Sequence, residues 1–309
     1  MTAELRVVFT ALFLTLLAAS TIGYILHRRR PGPQVDNLNA RIRAWWIMIV
    51  TGGLVLLAGR NAIIALFAVL SFLALREFIT HSPVRRSDHS ALFVCFFVAL
   101  PVQYLLVAWE WYGLFAIWIP VYCIVTLPVL SMLFSDVDRF VDRTASIQFG
   151  LMVCVYCISH IPALLMLRIP GYEGRDALLA LFLVLVTQAS DVLQYVWGRM
   201  LGRHRIAPAL SPSKTVEGFV GGILSATALG AALSFLTPFT PARAAAMSLL
   251  VTVMGFLGGL VLSAIKRDRG IKDWGQFIEG HGGVLDRLDS LCFSAPLFFH
   301  LTRYFYAGP

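Results

Sequence analysis

Apolar residues run along this chain in blocks of about 20 separated by short polar gaps, and 20 residues is the length a helix needs to cross a hydrocarbon core. Blocks fall at about 5–26, 44–59, 61–79, 90–108, 111–134, 146–168, 177–198, 216–237, 242–265 and 290–306. The second and third share one turn at Gly59-Arg60-Asn61, so they read either as two spans or as one hairpin, which would make the count nine. Backbone groups in lipid must be satisfied internally. The pattern therefore predicts an all-α fold: a polytopic integral membrane protein with about ten transmembrane helices. It reads as a single membrane domain over 1–309, with N-terminal membrane helices in 1–175 and C-terminal helices with hydrophilic loops in 176–309.

Composition agrees. Of 309 residues, 58% are hydrophobic and 14% charged, whereas a soluble domain carries about 25% charged residues. The net charge is +8. In a soluble protein that would suggest nucleic acid; here the gaps explain it, and no nucleic-acid partner is expected. Nineteen of the 25 Lys and Arg residues lie in or beside the odd-numbered gaps and six elsewhere. Retention of basic residues on the cytoplasmic side puts the odd gaps there and both termini outside. The expected location is the inner (cytoplasmic) membrane, multi-pass. Trp45, Trp46 and Trp197 then fall near the inner interface, and Trp109 and Trp111 near the outer one. The first block lacks a small-residue cleavage site and is followed by His27-Arg28-Arg29-Arg30, so it reads as a retained anchor. The five cysteines lie in or at apolar blocks, where packing is the expected role and no disulfide is expected.

The polar gaps differ in kind. Residues 27–43, basic and containing Pro31-Gly32-Pro33, are expected to lie along the anionic inner surface. Asp136, Asp138 and Asp142 beside Arg139 and Arg143 read as a solvated turn. Residues 198–215 and 263–289 instead concentrate Gly, Lys, Arg, Asp and His on one side of the membrane, which calls for water, partners or a ligand. Lys266, Arg267, Arg269 and Lys272 put four cations within seven residues, a cluster that suits an oligophosphate. Gly280-His281-Gly282-Gly283 lets backbone N–H groups approach a phosphate. Asp286 and Asp289, three apart at the start of the last helix, share a face and offer the oxygens Mg²⁺ prefers. Together they describe a metal–nucleotide site; a positive-inside loop with helix-capping acids is the plainer alternative.

Here the chain resembles a known family. Ser263, Lys266-Arg267, Lys272-Asp273, His281-Gly282-Gly283 and Asp286-Arg287-x-Asp289 follow the signature of phosphatidate cytidylyltransferase, the CDP-diacylglycerol synthase. Ser190-Asp191, Ser211-Pro212 and Lys214-Thr215-Val216-Glu217-Gly218 match its second conserved stretch. The likeness is good over roughly 185–295; earlier residues resemble the family only in being multi-spanning. It departs at Gly259, where the family has an Asp thought to be a metal ligand, and also at Leu262, Val192-Leu193-Gln194, Ser213 and Glu279.

The resemblance implies transfer of CMP from CTP to phosphatidate or a related lipid phosphate, with Mg²⁺ and, as an option, a monovalent cation such as K⁺. It implies Asp286, Asp289, Lys272 and His281 as catalytic residues. Asp286, Asp289 and Asp191 would bind metal, with Glu279 or Asp268 as substitutes for the carboxylate absent at Gly259. Ser263, Lys266, Arg267, Lys214, Gly282, Gly283 and Arg287 would bind substrate. His281 either donates to pyrophosphate or orients the glycine turn, and Lys214 meets either the lipid phosphate or CTP. Membrane lipids are expected partners, and a homodimer is compatible with the pattern. Two other readings are a catalytically degenerate relative that binds nucleotide or lipid, and a membrane transporter. Asp191 alone among the acids considered lies clearly inside a span, near one end, which favours an enzyme over a permeation path.

Overall fold

The computed structural model describes residues 3–30, 32–134, 137–275 and 282–307. Among the described residues, eight helices are long and apolar enough to cross a membrane: α1 (Ala3–Arg29), α2 (Pro33–Ala58), α3 (Arg60–Thr80), α4 (Arg86–Ala108), α5 (Tyr112–Leu133), α6 (Phe140–Met166), α7 (Asp176–Leu201) and, after a shorter helix, Pro241–Asp268. That shorter apolar helix is α8 (Val216–Ala232, 17 residues), so Pro241–Asp268 is α9. The last, α10, runs 22 residues from Leu285 to Tyr306. The chain is thus an all-α polytopic membrane protein. Its described strands are a short antiparallel hairpin between α7 and α8, pairing β1 (Arg205–Ala207) with β2 (Ser211–Thr215).

In the N-terminal region the second and third blocks are two separate helices, the first of the two readings, because Gly59 takes φ +91 and breaks the run. Most of residues 27–43 are helical and extend the first two apolar blocks. α1 continues to Arg29 and α2 begins at Pro33, where proline suits the first helical turn. Hydropathy located the apolar block, but the polar helical residues 33–43 ahead of it satisfy their own backbone and carry no hydropathy signal. Two prolines inside the bundle lie in or beside local π-helical stretches: Trp118–Cys123 contains Pro120, and Cys95–Ala99 precedes Pro101.

The two ends of the bundle carry different charge chemistry. At the end formed by the even gaps, Arg60 and Arg168 both pair with Glu110 (2.9 and 3.1 Å), and Arg175 pairs with Glu4 (3.0 Å). The odd gaps meet at the opposite end, which carries most of the cations. There the 137–143 turn is not simply solvated. Arg143 and Asp88, both essentially buried, pair at 3.2 Å, and Arg85 pairs with Asp138. The partners come from a different gap, which local spacing cannot reveal. Arg143→Met leaves a buried carboxylate without its guanidinium and is expected to cost about 3 kcal/mol. A lowered thermal midpoint in detergent checks this.

Candidate functional site

Four elements converge at the odd-gap end: the last turns of α7 and α9, the first turns of α10, and the hairpin. α7 and α8 approach closely, because a side chain on Gly218 would lie 2.7 Å from the Gln194 carbonyl and 3.0 Å from the Gly198 Cα. Thr215 caps α8 by accepting from Gly218 N–H (3.1 Å). Glu217 closes the hairpin, accepting from the Arg203 and His204 N–H groups (3.0 and 3.2 Å) and from His204 Nδ1 (2.6 Å). These bonds hold β2, and with it Lys214, over the bundle end.

The Ser290 hydroxyl lies 3.1 Å from Asp191 Oδ1 and 3.4 Å from Asp289 Oδ1, so the two acids face one point from α7 and α10. Asp289 also accepts from Ser290 N–H at 2.7 Å. The Lys214 ammonium lies over the Phe256 ring, 4.6 Å from its centroid. A Cβ on Gly259 would sit 3.1 Å from that ammonium, 3.7 Å from Ser290 Oγ and 3.8 Å from Asp289 Oδ2. The position without a carboxylate therefore borders the acid pair. Burial pushes the Lys214 pKa below the usual lysine range, and the Asp289 and Asp191 carboxylates counter that by favouring the ammonium. Lys266 adds positive charge at Asp289, and Arg287 adds less at both acids.

Asp286 is placed differently from its expected partners. Its Oδ1 accepts from Lys266 Nζ (2.7 Å), and its Oδ2 accepts from the N–H groups of Trp274 (2.8 Å) and Gly283 (3.0 Å). Both oxygens are thus committed to holding the loop. Among the described residues, no three His, Cys, Asp or Glu side chains form a metal cluster, so the expected Asp191–Asp286–Asp289 set is not assembled. Asp268 does not fill the gap either; its exposed side chain lies beside Arg269.

Other predicted ligands also serve the scaffold. The Gly283 N–H goes to Asp286, and Gly282 is needed for its φ of +83. Arg267 bridges the carbonyls of Leu210 (3.2 Å) and Ile271 (3.0 Å), tying the hairpin tip to the loop after α9. Ser263 donates back to the Gly259 carbonyl (2.6 Å) within α9. Lys272 is exposed on the loop. His281, Glu279 and Asp136 lie outside the described residues.

Two members of this constellation carried no mark in the sequence reading. Ser290 directly follows the signature Asp289, a position adjacent to a known motif residue. Glu77 of α3 accepts from the N–H groups of Val284 and Leu285 (2.9 Å each), and an acid inside an apolar span was its available signal.

For Mg²⁺ the donor chemistry fits two residues. The ion commonly uses one or two carboxylates and completes its octahedron with water and substrate phosphates. Asp191 and Asp289 supply such a pair, whereas both Asp286 oxygens already accept hydrogen bonds from Lys266 and the loop.

Polar groups gathered at one end of a bundle, rather than along a path through it, suit an enzyme working where water-borne phosphates meet lipid. Comparison with known proteins places it further: residues 39–305 match the Cytidylyltransferase family, and the chain belongs to that family. It is a CTP-using nucleotidyltransferase. An uncharacterized protein of Escherichia coli, YnbB, is 37% identical over 294 residues, 95% of this chain and 96% of its own length. The phosphatidate cytidylyltransferase of Staphylococcus aureus is 28% identical over 258 residues, 81% of this chain and 90% of that one. That of Staphylococcus saprophyticus is 36% identical over 154 residues, 48% of this chain and 59% of that one. The family match extends well before the motif-rich stretch, into α2 and α3.

Proposed function

We propose that this protein transfers CMP from CTP to phosphatidate or a closely related lipid phosphate, giving CDP-diacylglycerol and pyrophosphate, at the cytoplasmic face of the inner membrane. The observation that carries this reading is the meeting of Asp191, Asp289, Ser290 and Lys214 at the bundle end where the cations concentrate. An oxygen of the lipid phosphate attacks the α-phosphorus of CTP, and the bond to the pyrophosphate oxygen breaks. Little covalent work falls to the protein; it aligns two anions and offsets their charge. Lys214 and Arg287 are the cations placed for that task. Asp191 and Asp289 would hold Mg²⁺, which supplies further charge neutralisation when bound. The Ser290 hydroxyl orients the Asp191 carboxylate. Asp286, Lys266 and Arg267 keep the surrounding loop and hairpin in place.

The test is direct. Purified protein in detergent, given Mg²⁺, CTP labelled at the α-phosphate and phosphatidate, should form a labelled lipid and release unlabelled pyrophosphate. Absence of labelled lipid with phosphatidate and with other lipid phosphates overturns the assignment.

Gly259 makes a second expectation. Gly259→Asp adds a carboxylate beside Asp289 and Lys214. A further acid strengthens a divalent-ion site. The Mg²⁺ concentration giving half-maximal transfer should therefore fall relative to wild type, measured by titrating Mg²⁺ at fixed CTP.

A further inference from the structure

We infer that Glu77 of α3 is a positioning residue for CMP transfer: it fixes the first turn of α10, the helix that carries Arg287 and Asp289. The inference rests on the reaction proposed above. Its structural half stands on α3, a helix outside the signature motifs.

The first N–H groups of a helix have no partner within it. Val284, at the start of α10, provides no side-chain cap. The cap comes instead from α3. Glu77 Oε1 accepts from Val284 N–H and Oε2 from Leu285 N–H, both at 2.9 Å. Asp289 lies one turn beyond Leu285, so the carboxylate that anchors that turn also sets where Asp289 meets Asp191. The same face of α3 grips the loop ahead of α10. The Phe78 ring stacks on buried Trp274 with centroids 5.2 Å apart, and His81 Nε2–H donates to the Trp274 carbonyl at 3.1 Å.

The glycines of the loop fit this grip. A Cβ on Gly275 would sit 2.8 Å from Glu77 Oε1, and one on Gly283 would overlap the Glu77 carboxylate. The loop is thus held from two sides: by Glu77 on α3, and by Asp286 on α10 through Trp274 N–H and Gly283 N–H. A second consequence concerns anions. The N-terminus of a helix attracts negative charge. Glu77 already occupies that position on α10, so substrate phosphates are left to Lys214 and Arg287.

The experiment uses full-length protein in detergent and four variants: Glu77→Gln, Glu77→Ala, Gly283→Ala, and Gly283→Ala in the Glu77→Ala background. Glu77→Gln keeps one acceptor and turns an amide donor toward a backbone N–H. Small displacements of aligned groups cost rate more than binding, so kcat should fall roughly 10- to 100-fold while KM for CTP changes less than about threefold. Amide hydrogen exchange should quicken in peptides covering 284–289 and stay unchanged in those of α7. Gly283→Ala should show the same kinetic pattern. Its effect should largely vanish in the Glu77→Ala background, where the clash is gone.

Unchanged kcat in Glu77→Gln, exchange that quickens throughout the chain, or an additive double variant overturns the inference. If wild-type protein shows no CMP transfer, the proposed reaction falls and positioning for it falls too. Localised exchange in Glu77→Gln would then still mark Glu77 as the α10 cap, which separates that failure from a failure of Glu77 itself.

Discussion

Asp289→Asn lowers transfer of labelled CMP to lipid about 10²- to 10³-fold, the size expected when one preorganised charged contact to the reacting phosphates is lost. The substitution is well matched to the question. The side-chain oxygen of Asn can still accept the Ser290 N–H that Asp289 now accepts at 2.7 Å, so the local turn of α10 is preserved. What disappears is charge. One carboxylate no longer faces the point shared with Asp191, and the Lys214 ammonium loses a counter-charge that favours its protonated form. Asp191→Asn should behave alike. Because the two acids act as a unit, the double variant should be little worse than either single one. Initial rates of labelled-lipid formation, with circular dichroism to confirm retained helix, measure this. Asp289→Asn retaining more than a tenth of wild-type rate would remove Asp289 from the site.

The approach of Asp289 to Asp191 was readable from the motifs, and the hydrogen-bond partners of Asp286 were not. Spacing of three placed Asp286 and Asp289 on one helix face and suggested one shared target. The structure separates them because the loop folds back over the first turn of α10. There the N–H groups of Trp274 and Gly283, with the Lys266 ammonium, claim Asp286. Asp289 sits deeper and looks toward α7. Sequence spacing tells which residues share a face, but not which backbone arrives to cover it.

The fold was legible for a simple reason. Helices that must span lipid declare themselves by length and apolarity, and the ten blocks overlap the ten long helices of the described residues, eight of them long and apolar enough to cross a membrane. The limits lay at the ends. α2 extends eleven residues ahead of its apolar block, and Asp88 of another gap pairs with Arg143 of the turn that looked solvated. Glu77 is the same lesson at the site. Its partners are more than 200 residues away in sequence, and only the packing of α3 against the loop brings them together.

Asp286→Ala is expected to destabilise the protein by about 5 kcal/mol, at the upper end of the range for breaking a buried ion pair. Three groups lose their partner at once: the largely buried Lys266 ammonium, and the backbone N–H groups of Trp274 and Gly283. An unpaired buried charge accounts for most of the cost, and two unsatisfied donors for the rest. The thermal midpoint should fall in metal-free protein, before any substrate is added. Adding Lys266→Met to Asp286→Ala should recover part of the loss, because the stranded ammonium goes with it. This result separates the two roles open to Asp286. A carboxylate whose main duty is to hold a metal leaves the metal-free fold unharmed, or more stable, when it is removed. One that staples the loop weakens that fold whether or not an ion is present. If Asp286→Ala abolished transfer with no change in the metal-free midpoint, the ligand role would be right, and the Lys266 pair would be the arrangement that an arriving ion displaces.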